Sequence, residues 1–230
     1  MFPISTLRSA YAPTVDTSPS LLLPLAGWFT GLIGLGAYWL GTILFSPPHL
    51  PVLLSIATVA TLTLARPESG FATYMGGDRT DQREAPSGTV WLVLLLLARF
   101  FAVQALFANE AFGLSVALKY VMAHSLSHLM AASVSWKRPV SASPTDSAPS
   151  IARRTLAITI GVLPMLALVG LTTLWIYALF AIPILLLRWW MLGRFRRQAS
   201  GDSSSRLGTI QQLSELIVYL SFVSLLWISV

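Results

Sequence analysis

The chain has no cysteine in its 230 residues, which removes disulfide frameworks, thiolate metal sites and cysteine nucleophiles from consideration. It is also short of charge. Only 10% of its residues are Asp, Glu, Lys or Arg, where a soluble domain carries about 25%. Apolar residues fill the space: 55% of the chain is hydrophobic and the mean hydropathy is +0.71. This places the chain in the membrane class before any motif is read. The formal charge is +6 and the pI about 10.2, a balance that in a soluble chain would suggest nucleic acid. Here the basic residues lie between apolar runs, so membrane topology accounts for them and no nucleic-acid partner is expected.

A helix needs roughly 20 apolar residues to cross a bilayer. The runs of suitable character are Leu21 to Phe45, Leu50 to Ala65, Thr89 to Phe107, Phe112 to Trp136, Thr155 to Val169, Leu171 to Leu192 and Thr209 to Val230. The second and fifth are short for a simple crossing, and only the Gly170 region separates the fifth from the sixth. The expected fold is therefore all-α, a polytopic transmembrane helix bundle of about seven spans, with six as the alternative. Residues 1–20 lack the charged-then-apolar order of a signal peptide and read as a cytoplasmic tail. Residues 21–230 read as one transmembrane domain.

Charge placement sets the expected orientation. Arg66, Arg79 and Arg83 fall after the second run; Lys137, Arg138, Arg153 and Arg154 after the fourth; Arg188, Arg194, Arg196, Arg197 and Arg206 after the sixth. The short connections near Pro47, Asn109 and Gly170 carry no lysine or arginine. By the positive-inside rule the N-terminus and the loops 66–88, 137–154 and 193–208 are cytoplasmic. Residues 139–150, PVSASPTDSAPS, have linker composition.

Ionisable groups at membrane depth are costly and ask for a partner or a task. Arg99 and Gln104 lie in the third run, Lys119, His124 and His128 in the fourth, and Gln211, Gln212 and Glu215 in the seventh, most of them toward helix ends. His124 and His128 are four apart and share a helix face. They suit either metal or phosphate binding or, more simply, helix–helix hydrogen bonding. Gln211 and Glu215 likewise share a face, and Gly201, Asp202 and a serine run just upstream form a turn whose amides suit a phosphate.

These pieces together resemble the adenosylcobinamide-GDP ribazoletransferase, or cobalamin-5′-phosphate synthase, family. Gly201-Asp202, Leu207-Gly208-Thr209, Gln211-Gln212 and Glu215 resemble that family's C-terminal block. Residues 20–40 resemble its first span, and Ala123 to Ala132 its Ala-His-x-Leu-Ser-Arg stretch, with His128 where arginine is usual. Glu68-Ser69-Gly70-Phe71-Ala72-Thr73, Gly76-Gly77-Asp78-Arg79 and Ser87-Gly88-Thr89 resemble its catalytic loop. Two aspartates of that loop's first motif are replaced here by Ser69 and Thr73.

The resemblance implies a transferase of late cobalamin assembly, joining adenosylcobinamide-GDP to α-ribazole or its 5′-phosphate and releasing GMP. It implies Mg²⁺ as cofactor on Glu68 and Asp78, with Glu68, Asp78 and Arg79 catalytic. His124, Asp202, Gln211, Gln212 and Glu215 would bind substrate. The implied setting is the bacterial inner (cytoplasmic) membrane, multi-pass, in contact with the lipid bilayer and with other cobalamin-assembly enzymes. Two alternatives stand beside this. One is a family member that keeps the fold as a binding or assembly partner without the chemistry. The other is a small transporter using the His124 and Arg99 region.

Overall fold

The computed structural model describes residues 19–77, 87–109, 112–136, 150–172, 175–197 and 203–228. Among them the apolar runs become helices: α1 (Pro19–Leu44), α2 (His49–Leu62), α3 (Arg66–Gly76), α4 (Gly88–Asn109), α5 (Leu114–Ser135), α6 (Ile151–Thr172), α7 (Ala181–Arg197) and α8 (Ser203–Ile228). A 3-10 segment, Trp175–Phe180, leads into α7. Three helices, α1, α4 and α6, are long and apolar enough to cross a membrane, or up to four if the bent pair α2–α3 is one span. The chain is a helical membrane protein. The helices α5 and α8 are long enough, at 22 and 26 residues, but carry the ionisable groups, which lowers their hydropathy.

Those two helices occupy the interior. From Lys119 to Ser133 every residue of α5 is buried, and α1, α6 and α8 pack around it. A helix enclosed on all sides has no polar face to keep, so its serines, histidines and lysine must find protein partners. Lys119 is buried, with its ammonium 5.7 Å from the ring centre of Phe222. Along α1, Gly27, Gly31 and Gly34 line the contact with α5. A Cβ at Gly27 would sit 2.7 Å from the carbonyl oxygen of His124, so only glycine lets these backbones meet.

Proline makes a second junction. Pro164 lies inside α6 and has no N–H to donate to the carbonyl of Ile160. That oxygen accepts instead from Trp28 Nε1 on α1, at 3.1 Å. Next to it, Ser125 Oγ on α5 donates to the carbonyl of Gly161 at 3.0 Å. The break in the α6 ladder thus ties three helices together, as apolar surroundings require of every freed backbone group.

The region expected as the loop 66–88 begins as a helix. Between α2 and α3 the chain turns by 85°, through Leu64 and Ala65 at φ 53° and 51°. Left-handed backbone costs a residue with a side chain about 1–2 kcal/mol, so this turn is held by its surroundings. It lays α3 across α8 and α4. The expected loop 193–208 is also partly helical, since α7 continues to Arg197 and Ser203 to Gly208 form the start of α8. The break between the fifth and sixth runs falls after Thr172, and α6 begins earlier than the apolar run, at Ile151, with Arg153 and Arg154 in its first turn. Arg188, expected beyond the sixth span, lies inside α7.

Candidate functional site

Where α3 crosses α8, the crossing is glycine on glycine. A Cβ at Gly208 would lie 2.6 Å from the carbonyl oxygen of Pro67 and 3.1 Å from the Cα of Gly70. A Cβ at Gly70 would lie 3.0 Å from the carbonyl oxygen of Ser204. This close approach puts Glu68, in the first turn of α3, within reach of α8. Gln212 Nε2 donates to Glu68 Oε1 at 3.0 Å. Gly208→Ala is expected to lever α3 off α8, costing about 1–3 kcal/mol as overpacking, read as a lower melting temperature in detergent. Backbone atoms are the obstacle, so side-chain repacking gives no relief.

Arg99 is the hub. It sits near the middle of α4, and its side chain is 2% exposed. Its Nη2 lies 2.6 Å from Glu215 Oε1 and its Nη1 3.7 Å from Glu68 Oε1. His124 Nδ1 on α5 lies 3.5 Å from the same Glu215 oxygen. Four helices, α3, α4, α5 and α8, therefore bring one polar group each to a single point. Two carboxylates face one guanidinium there, and Glu68 Oε2, like Arg99 Nε, is buried without a hydrogen-bond partner among the described residues.

A second polar layer flanks the first. His128 Nδ1 meets the carbonyl of His124 at 2.8 Å, and its Nε2 meets Gln211 Nε2 at 3.2 Å, so both ring nitrogens are spent on contacts within the bundle. On the other side Ser55 Oγ donates to the carbonyl of Gly34 at 2.7 Å and pairs with the Tyr120 hydroxyl at 2.8 Å. The Tyr120 ring stacks edge-on against His124, with centroids 4.9 Å apart, and lies beside Tyr219.

Four of the expected site residues thus meet at Arg99, namely Glu68, His124, Gln212 and Glu215, while Gln211 sits in the flanking layer against His128. Asp78, Arg79 and Asp202 lie outside the described residues. Ser69 and Thr73 share the exposed face of α3 while Glu68 is buried, and Ser69 Oγ donates to the carbonyl of Arg66 at 3.0 Å. Arg99, Ser55, Tyr120 and Tyr219 pack in or beside the same cluster although no motif points to them. The signal for Arg99 was its isolation: the one charged residue in a 22-residue helix marks a functional or paired position. The expectation that the polar groups sit toward helix ends is corrected for Arg99, His124 and Glu215, all near the middle of their helices.

The fit to Mg²⁺ can be judged from the same atoms. Among the described residues no group of three His, Asp or Glu side chains is placed to hold a metal. Mg²⁺, however, commonly takes one or two protein carboxylates, with waters and substrate phosphates completing its shell. The unpartnered Glu68 Oε2 is one such oxygen, and the formal excess of carboxylate over guanidinium favours a cation beside it.

Fold and site together define a helical membrane protein whose bundle is built around a buried, charge-paired polar cluster. The chain belongs to the cobalamin-5-phosphate synthase family (CobS), whose sequence model matches residues 2–223. It is similar to the adenosylcobinamide-GDP ribazoletransferase of Ralstonia nicotianae, 31% identical over 224 residues covering 90% of this chain and 83% of that protein. Proteins of the same name are 28% identical in Bradyrhizobium diazoefficiens, covering 86% of this chain and 80% of the relative, and 28% in Vibrio parahaemolyticus, covering 87% and 79%. No solved structure matches the chain.

Proposed function

We propose that this chain is a transferase of cobalamin biosynthesis, an adenosylcobinamide-GDP ribazoletransferase. It joins adenosylcobinamide-GDP to α-ribazole, or to its 5′-phosphate, and releases GMP. The family match and the relatives' names carry the activity. The observation that supports this choice of site is the convergence of Glu68 and Glu215 on Arg99.

Phosphoryl transfer needs positioning and charge neutralisation more than covalent help from the protein. In this reading Glu68 and Asp78 hold Mg²⁺, which when bound would neutralise phosphate charge at the transferring centre. Arg99, Gln212 and Glu215 fix the Glu68 carboxylate. His124, Gln211 and Asp202 would contact substrate, and Arg79 would meet a phosphate. The proposed setting is a bacterial inner membrane crossed about seven times, with the N-terminus and the basic loops on the cytoplasmic side, as the arginine placement suggests.

The test of the metal assignment is a Mg²⁺ titration of GMP release by protein reconstituted in liposomes. Asp78→Asn is expected to raise the Mg²⁺ concentration needed for half-maximal rate and to lower the rate at saturation. A metal response identical to the unmutated protein would remove Asp78 from the site.

One observation favours a second reading. Ser69 and Thr73, where the resembling family carries aspartates, are exposed on α3 and give that face no carboxylate. A family member that binds corrinoid for other cobalamin-assembly enzymes, without turnover, fits this loss. Tight, metal-independent corrinoid binding with no GMP release would select it.

A further inference from the structure

Away from the polar cluster, α5, α6 and α7 line an open apolar groove of about 310 Å³. Leu126, Leu129 and Met130 form its floor on α5, with Val162 and Met165 of α6 and Ile184 of α7 as walls. Ile158 and Leu185 also line it and are 46% and 54% exposed, so it opens on the outer surface between α6 and α7. These two helices are the bundle's surface here, and that surface faces hydrocarbon in a membrane.

One end of the groove is cationic. Arg188 lies there beside Ser133 and Trp136. Its Nε donates to Ser133 Oγ at 2.7 Å and its Nη2 reaches the Ser133 carbonyl at 3.5 Å. Among the described residues no carboxylate pairs with it. An arginine in an apolar groove whose described neighbours offer a serine and a tryptophan but no carboxylate is a request for an anion.

Depth and length narrow the ligand. Trp189 and Trp190, next to Arg188, are 76% and 50% exposed, as tryptophans are at the headgroup level of a bilayer. Arg194, stacked 5.2 Å from the Trp190 ring, continues the positive surface, and Arg153 and Arg154 open α6 at the same end. From Trp136 to Leu126 the groove runs ten residues along α5, about 15 Å at 1.5 Å per residue. That is half of the ~30 Å hydrocarbon core, the depth of one leaflet.

We propose that this groove is a binding site for an anionic phospholipid, with one acyl chain along α5 and the phosphate on Arg188. The surrounding arginines select a net negative headgroup over a zwitterionic one. The site is separate from the Glu68–Arg99–Glu215 cluster and does not depend on the activity proposed for it.

Native mass spectrometry of the protein released from nanodiscs of equal phosphatidylglycerol and phosphatidylcholine reads the site directly. The expected result is one retained phosphatidylglycerol per chain, in several-fold excess over phosphatidylcholine. Arg188→Gln should abolish the excess and Arg188→Lys should keep most of it. Val162→Trp, which fills the groove without touching its charge, should remove the retained lipid altogether. Melting curves of each variant establish that it is folded. Equal retention of the two lipids, or an excess that survives both Arg188→Gln and Val162→Trp, would overturn the proposal. So would displacement of the lipid by adenosylcobinamide-GDP, which would give the groove to substrate.

Discussion

Arg99→Met is expected to cost the fold about 3–5 kcal/mol, the usual consequence of removing one partner from a buried ion pair. The guanidinium stands between Glu68 and Glu215, at 3.7 and 2.6 Å, and the three side chains are at most 6% exposed. Methionine keeps much of the apolar stem but leaves two carboxylates without their cation. The measurement is the melting temperature of the purified variant in detergent, with yield of folded protein as a second readout. Adding Glu215→Gln to Arg99→Met should recover part of the loss, because the neutral amide no longer needs a counter-charge. The two effects are then non-additive, as residues in one network are. Arg99→Lys should fall between, since a single ammonium cannot reproduce the fork that spans two carboxylates. An Arg99→Met protein that melts with the unmutated one would show that the cluster is not holding α3, α4 and α8 together.

Glu68→Gln is the complementary change, expected to leave the fold largely intact and remove activity by about 10²-fold or more, the scale of losing one preorganised electrostatic group. The amide oxygen that this substitution introduces can still accept from Gln212 Nε2, which in the unmutated protein donates to Glu68 at 3.0 Å. What disappears is the negative charge and the unpartnered Oε2. A purely structural Glu68 would lower stability and activity together. A Glu68 that meets metal or substrate lowers the rate while the melting curve stays close to that of the unmutated protein. Changes in both Mg²⁺ dependence and rate would place the loss at the phosphates.

Much of this arrangement was legible in the sequence, and the reasons are specific. Long apolar runs gave helices close to their bounds: Leu21 to Phe45 became Pro19–Leu44, and Thr89 to Phe107 became Gly88–Asn109. Motif resemblance and the cost of polar groups in apolar runs point to Glu68, His124, Gln211, Gln212 and Glu215; all but Gln211 converge on Arg99, and Gln211 lies one layer away on His128. The α2–α3 turn was not legible, because Leu64 and Ala65 are not residues that announce left-handed backbone. The helical character of Ser203 to Gly208 was hidden by serine and glycine, which locally favour turns, while packing on α3 overrides that preference. Arg99 was visible as a solitary charge, but its partners Glu68 and Glu215 lie far from it along the chain, on α3 and α8. No local pattern encodes that pairing.

The central claim is that this cluster serves a working ribazoletransferase. The most direct measurement is GMP release from adenosylcobinamide-GDP by the reconstituted protein, with α-ribazole and Mg²⁺, run beside the Ralstonia nicotianae relative. The account predicts that GMP and the cobalamin product appear in equal amounts, and that Glu68→Gln suppresses both together. No GMP from this chain under conditions where the relative turns over, or undiminished release by Glu68→Gln, would contradict it.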